Sequence, residues 1–438
     1  MEPLFSAVIC GCNAGLFREA LHEVYIPRIQ RGNARFAANI LGARGPLLSV
    51  LVHFFEHGRW GSPVETAVEG QSLTAEDQLF ILMQAGLYLT HTAAEGYSAP
   101  AAQICYERAE SLCDSLNHPL LLYAALLGRW RYSFLTGTLT TTLQVAQRVY
   151  SLAQEQTDSA LMIGAYHALA GTLYFIGDFK TARRYAKRGV QLWRAGGAES
   201  HAEEVLAPTV VCLCYEALSD WHLGEIASCK AIMAQANSLA TELKNTNPLA
   251  VALWNAVLLG HYARNPAEVE RLTSDLIEMS TRNNFPFWLS GANILRGWTR
   301  SVSGDPAEGI SWIEHGIRDY RATGSMLAMP YYLALKAEAL HVADRTAEAL
   351  EAIREAEALV ERSEERWWSA ELHRLRGVFL ATAGAEETQI EASFCEAIRI
   401  AKEQKSVSLE KRAEATYREY LRQKASGSGG RGLRLPLW

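Results

Sequence analysis

The residues best placed to do chemistry are His53-Phe54-Phe55-Glu56-His57. Two histidines four apart share one face of a helix and can hold a zinc ion, leaving Glu56 as general base for an activated water. The eight cysteines, at 10, 12, 105, 113, 212, 214, 229 and 395, contain no Cys-x-x-Cys pair, so neither a zinc ribbon nor a dithiol redox site is encoded. They read as buried, reduced thiols. Arg183, Arg184, Lys187 and Arg188 recur at helical spacing as one basic stripe. Such a stripe can attract an acidic peptide, although a solvated helix face is its commoner meaning.

Composition narrows the classes. Of 438 residues, 21% are charged and 49% apolar, and the net charge is −6, which describes an ordinary globular protein and disfavours nucleic acid as partner. No Lys or Arg precedes Arg18, so the positive start of a secretory signal is missing and a cytoplasmic location is expected. The dense apolar run Leu47 to Phe55 is far shorter than the roughly 20 residues that span a membrane, so no membrane association is expected.

The elements that would have to position any site come from a repeat. Equivalent small or apolar positions fall at Ala102, Thr142, Ala182, Cys229, Val269, Gly309, Ala349 and Ile390, with spacings of 40, 40, 47, 40, 40, 40 and 41. Five residues earlier the chain turns, with glycine at 137, 177, 224 and 304 and with Arg264 and Asp344 at the equivalent site elsewhere. Glycine suits a helix end that enters the left-handed region. Further small positions, such as Ala170, Ala217 and Gly297 before the marker and Gly189, Ala236 and Gly316 after it, let neighbouring helices approach closely. Apolar residues between them recur at three and four, so each unit is a helix hairpin. Pro119, Asp158, Pro208, Pro248, Pro286 and Pro330 mark the starts of the first helices. The single long spacing is explained by a polar, Gly-containing insertion from Ala195 to Glu204, which reads as a surface loop.

The series Tyr166, Leu169, Ala170, Tyr174, Gly177, Ala182, Tyr185, Gly189 resembles the tetratricopeptide repeat nearly site for site, with helices about one turn longer than its usual 34-residue unit. The expected fold is therefore all-α, a right-handed superhelical solenoid of about eight tetratricopeptide-like hairpins of about 40 residues. Gly96-Tyr97-Ser98-Ala99-Pro100, Phe285-Pro286-Phe287-Trp288, Ile294 to Trp298, Tyr320 to Gly324 and Ala370 to Gly377 together resemble the C-terminal helical repeats of bacterial multidomain proteins. Those proteins join such an array to an adenylate cyclase or predicted ATPase module. The likeness runs from about residue 75 to 422 and implies a regulatory or scaffolding surface. Nothing matches G-x-x-x-x-G-K-[ST], so no nucleotide chemistry is carried over. The His53 to His57 pattern also resembles inverted zinc peptidases. That likeness implies a further ligand glutamate roughly 75 residues on, where Tyr132, Ser133 and Phe134 stand, so no metal and no cofactor are expected.

Three regions follow: residues 1–72 as an N-terminal helical cap, 73–424 as the array, and 425–438 as a disordered Gly/Ser tail whose apolar tip can dock on a partner or on the array. In such arrays the first helix of each pair lines the concave surface. Its groove-facing positions are Arg131, Phe134, His167, Tyr174, Trp221, His222, Trp254, His261, Trp298, Glu338 and His341, of the residue types that most often carry binding energy, although tryptophans between repeats also serve as filling. The expected function is non-enzymatic binding of a protein or peptide in that groove, with self-association through the end repeats open. A small-molecule sensor with the same fold is the alternative, and zinc peptidase activity a remoter one.

Overall fold

The computed structural model of the chain describes residues 1–32, 36–39, 41, 43–66, 68–92, 98–196, 207–426 and 435–437. Its helices are α1 Glu2–Asn13, α2 Phe17–Glu19 running on as a wider π-helix Ala20–Gln30, α3 Phe36–Asn39, α4 Arg44–Leu51, α5 Ala75–Thr92, α6 Pro100–Leu116 and α7 Pro119–Thr136. They continue with α8 Leu139–Gln156, α9 Ser159–Ile176, α10 Phe179–Gly196, α11 Pro208–His222, α12 Ile226–Glu242, α13 Thr246–Tyr262 and α14 Pro266–Asn283. The last are α15 Pro286–Val302, α16 Pro306–Ala322, α17 Met329–Val342, α18 Thr346–Ser363, α19 Ser369–Ala383, α20 Glu387–Glu403 and α21 Val407–Ala425. The fold is an all-α superhelical repeat of the tetratricopeptide type. Every repeat marker falls on the second helix of a hairpin, and Pro119, Pro208 and Pro286 open α7, α11 and α15. At that position a missing N–H costs nothing. Asp158 caps α9 by accepting the Ala160 N–H at 2.7 Å. Gly177, Gly224 and Gly304 take the left-handed turn conformation.

Packing divides the chain into two compact units, residues 1–136 with 323–325, and residues 137–322 with 326–438. In the first unit one apolar core runs from Val8 through Tyr25, Leu51 and Phe54 to Leu82, Tyr106 and Ala125, so residues 1–72 share their interior with the first repeats. The Tyr106 ring lies where a Cβ on Gly86 or Gly128 would stand, 2.9 and 2.6 Å from its carbons, which is why both positions are glycine.

His53 and His57 do not share a helix face. Short 3-10 turns at Val52–Phe54 and Glu56–Gly58 flank an extended Phe55, which bridges to Pro63, and His57 itself has φ 50°. The helix that a zinc site would need is therefore broken, and Glu56 is engaged by Arg59 at 3.2 Å. Among the described residues no cluster of three His, Cys, Asp or Glu is placed to hold a metal.

The second unit winds until its last repeats meet its first. The Arg366 and Trp367 N–H groups donate to the Phe175 carbonyl at 2.9 and 3.1 Å, and the Thr140 N–H donates to Glu364 Oε2 at 3.0 Å. Arg412 Nη2 donates to the Tyr262 carbonyl at 2.7 Å. Wrapped this way, α11 is buried along its whole length, Pro208 to His222. The same enclosure accounts for α9, Ser159–Ile176, whose 18 residues are long and apolar enough to cross a membrane yet are 67% buried inside the repeats. It is a longer apolar run than Leu47 to Phe55, because a helix covered on all sides needs no polar stripe.

The cysteine reading needs a correction: six are buried, but Cys10 and Cys395 are exposed. Of the insertion expected at Ala195 to Glu204, the first two residues complete α10 and the rest lie outside the described residues, as do Gly96 and Tyr97 of the resembling stretch. The tail is corrected in part. Residues 427–434 and 438 lie outside the described residues, whereas Leu435 and Leu437 are 5% and 6% exposed, seated against the array.

Candidate functional site

The expected groove residues lie inside the array. Nine of the eleven are buried, and only Trp254 and His341 are partly accessible. Arg131 and Phe134 sit on α7 of the first unit, Phe134 stacked on Trp130 at 5.0 Å, and His167 is buried on α9 of the second. The remaining residues belong to the second unit, and most of them converge. Tyr174 shares a 2.8 Å hydrogen bond with the Tyr262 hydroxyl and lies 3.3 Å from His222 Nε2, while His222 Nδ1 meets Ser406 Oγ at 2.9 Å. The His222 ring stacks flat on Phe179 at 3.7 Å. Trp221 lies beneath the Arg412 guanidinium at 5.4 Å. Trp254 approaches Trp288 and Tyr332, and His341 bonds Thr346 at 3.2 Å on the far side of its hairpin, so these two stand apart from the convergence.

At its centre is an ion network. Arg264 Nη1 donates to Glu338 Oε2 at 2.6 Å and its Nη2 to Glu371 Oε1 at 2.7 Å, while Trp298 Nε1 donates to the same Glu338 oxygen at 3.0 Å. Arg374 donates twice more to Glu371, both at 2.9 Å, and Arg412 once at 3.1 Å. Burial alone would raise the Glu371 carboxyl, but Arg374, Arg412 and Arg264 hold it well below the usual carboxylate range. His261 is neutral: burial first, then the Arg264 and Arg412 charges, push its pKa well down, and its Nε2 lone pair faces Arg264 Nη1 at 3.2 Å. Its Nδ1 must then be the protonated nitrogen, donating to Tyr331 Oη at 2.8 Å.

Arg264, Tyr331, Glu371, Arg374 and Arg412, together with Trp367 and Trp368, whose rings lie 6.1 and 5.0 Å from that of Tyr262, are the members that periodicity did not single out. Arg264 carried one signal. It stands at a turn position that is glycine in other repeats and holds φ 52° there, a conformation that costs a non-glycine residue and so implies a compensating contact.

The basic stripe is not uniformly free. Arg183 Nε pairs with the buried Asp220 at 2.6 Å, while Arg184, Lys187 and Arg188 on the same helix are partly or wholly solvated.

With the interior filled, the accessible surface is a cleft of about 720 Å³ where the unit's first and last repeats meet. It is bounded by the α9–α10 turn, the end of α18, the start of α19 and the end of α20. Most of its carboxylates already have donors: Asp178 accepts the Thr181 N–H, Glu364 the Thr140 N–H, and Glu396 and Glu403 take Arg399. Lys180, Arg366 and Lys405 are exposed on the rim, and none of them forms a salt bridge among the described residues, although the Arg366 charge helps to hold the Glu364 carboxyl down. The cleft therefore offers cationic donors to a visitor, with Glu361 the one lining carboxylate that has no such donor among the described residues.

One buried acid gives the second unit a pH signature. Glu365 takes the Ala328 N–H and Trp367 Nε1, yet burial outweighs these bonds and pushes its carboxyl up to about 8. Its folded-state proton is lost from the unfolded chain above about pH 4.5, so this stability is complete below that value, declines as pH rises and is gone beyond about 8. His222 and His261, with depressed folded pKa values, act oppositely and only below about 6.5. Between pH 6.5 and 8 the urea midpoint should therefore fall, by roughly 1.5 kcal/mol of stability. Glu365→Gln should flatten that slope, and an unchanged slope would remove Glu365 as its source.

Comparison with known proteins agrees with this architecture. No family model matches the chain. It is 24% identical over 277 residues to an uncharacterized protein of Rhizobium meliloti (strain 1021), a stretch covering 63% of this chain and 27% of that protein. The chain thus spans about a quarter of the curated relative's length. Among solved structures, a Rap protein complexed with competence and sporulation factor superposes with a TM-score of 0.50 at 12% identity, over 81% of this chain and 99% of that one. The human IFIT1 dimer with m7Gppp-AAAA gives 0.47 at 12% identity, over 90% and 81% of the two chains. A signal transduction ATPase with a tetratricopeptide repeat sensor from Pyrococcus horikoshii gives 0.37 at 13%, over 88% and 62%. At such identities the likeness concerns the fold alone.

Proposed function

We propose that the protein is a non-enzymatic binding module that receives a polypeptide segment carrying spaced acidic side chains in the cleft where the second unit closes. The observation that carries this reading is the state of the cleft's charges, with its carboxylates largely committed to internal donors while Lys180, Arg366 and Lys405 are not. Flexible, solvated cations at a rim steer and orient an anionic partner more than they hold it, so affinity would come from the enclosed walls and specificity from the rim. Five carboxylates in the same cleft oppose a continuous run of phosphates, which disfavours RNA relative to a peptide whose acids are interspersed. A Rap protein of the same fold holds a competence and sporulation factor. The buried aromatic row does not line this cleft and serves here as the packed interior of the unit. In a longer protein of the kind the sequence resembles, an array with a cyclase or ATPase module, such a cleft would serve as the input surface. The length of the Rhizobium relative fits that arrangement.

The test is selection of a displayed peptide library on the full chain, followed by titration of an enriched peptide against wild type and Arg366→Glu/Lys405→Glu. Enrichment of acid-containing peptides that lose about tenfold or more in affinity to the double variant supports the reading, since two rim charges at about 1 kcal/mol each account for that loss. Enriched peptides indifferent to the charge reversal, or a single-stranded RNA of mixed sequence displacing them at equal concentration, would overturn it.

A further inference from the structure

A second surface of the array is covered by the chain itself. Leu435 and Leu437 are buried, Pro436 between them is exposed, and Arg374 Nη2 donates to the Leu437 carbonyl at 2.8 Å. Arg374 is itself fully buried, with its other donors given to Glu371 and to Thr416 Oγ1 of α21 at 3.2 Å. A guanidinium presents its donors in a fixed plane, so an N–H aimed at the tail keeps that direction when the tail leaves. Buried donors are almost always satisfied, and the vacated position would call for another carbonyl. Thr416 lies nine residues, about 14 Å, before the end of α21, so Arg374 holds the Leu437 carbonyl beside the middle of that helix and not at its end. Nine residues, 426–434, join the end of α21 to Leu435.

We propose that this seat beside α19 and α21 is an exchangeable site for an extended apolar peptide with leucines at alternate positions, and that residues 435–437 are its tethered competitor. The pattern follows from the burial order of buried, exposed, buried, which is the two-residue period of extended chain, and from Pro436, which disfavours a helical turn at Leu435. Residues two apart point to one side, so both leucines can be buried while the Arg374 bond to the Leu437 carbonyl fixes the register. Arg374 does not line the cleft of the first and last repeats, and the proposal does not depend on the acidic-peptide reading.

The experiment uses a fluorescein-labelled peptide of residues 432–438, Gly-Leu-Arg-Leu-Pro-Leu-Trp, titrated against the full chain and against Leu435→Asp/Leu437→Asp. A tether holds its occupant at an effective concentration on the order of 1 mM, so a peptide of about 100 μM affinity should bind the variant about tenfold more tightly than the wild type. The same peptide with both leucines changed to aspartate should not bind either protein. Equal affinity for wild type and variant would overturn the proposal, as would concentration-dependent dimers that account for all binding. A protease site placed in residues 427–430 covers the case in which the variant misfolds. After cleavage of the folded wild type, a fragment that exchanges with labelled peptide supports the proposal, and a fragment that stays bound until denaturation overturns it in favour of a structural strap.

Discussion

Glu371→Ala is expected to destabilise the second unit by about 3–5 kcal/mol, the usual cost of leaving buried charges without their partner. Three guanidinium groups, those of Arg264, Arg374 and Arg412, point at this one carboxylate, and Arg374 and Glu371 are both almost fully buried. Removing it leaves Glu338 to answer Arg264 alone and takes the carboxylate away from Arg412 and from Arg374, whose guanidinium is fully buried. The contrast is an exposed group: Arg399, 60% exposed and bonded to Glu396 and Glu403, should leave the urea midpoint nearly unchanged when truncated to alanine, because solvent screens its pairs. Urea midpoints of the two variants check this, and a Glu371→Ala midpoint equal to that of the surface variant would mean that the network does not hold the unit closed.

Gly309→Ala should cost about 3 kcal/mol although it adds a single methyl group. A Cβ there would lie 2.4 Å from the Gly297 carbonyl oxygen and 2.7 Å from the Ser301 nitrogen, both backbone atoms of α15 that no rotamer can move aside. The reciprocal Cβ on Gly297 would lie 2.6 Å from the Gly309 carbonyl, so the two helices touch backbone to backbone and must separate for either substitution. Gly196→Ala is the control, because the added Cβ would meet nothing nearer than Ser159 Oγ at 3.9 Å. Its urea midpoint should stay at or above wild type, and a Gly309→Ala midpoint equal to it would contradict the close approach.

Gly309 and Gly297 are legible in the amino-acid sequence, as two of the small positions recurring at fixed offsets, and so are the hairpins and their proline starts. Local rules act over one or two helical turns, and the chain repeats them often enough to be read. The closure of the second unit obeys no such rule. The Thr140 to Glu364 and Arg412 to Tyr262 contacts join residues 224 and 150 positions apart, and the angle between successive hairpins that brings them together is a sum of small rotations. For that reason Trp221, His222, His261 and Trp298 can be assigned from spacing to the inner side of the repeats but not to a filled interior. Trp367 and Trp368, at a turn between hairpins, give no periodic sign of entering it. The broken geometry at His53 to His57 has a similar origin, since spacing alone cannot show that His57 takes φ 50°.

An interior filled by its own side chains leaves recognition to the line where the repeats close, and two surfaces there differ in chemistry. The cleft presents Lys180, Arg366 and Lys405 to solvent, whereas the seat at Arg374 holds the buried side chains of Leu435 and Leu437. A partner at the cleft would touch α10, α19 and α20 at once and so tighten the closure that Glu371 maintains. The most direct measurement is hydrogen exchange of the full chain with and without a selected acid-containing peptide. Slower exchange at residues 176–181, 360–366 and 399–405, with little change along α5 to α7, is the result this account predicts. Protection confined to other helices, or faster exchange at those three segments, would contradict it.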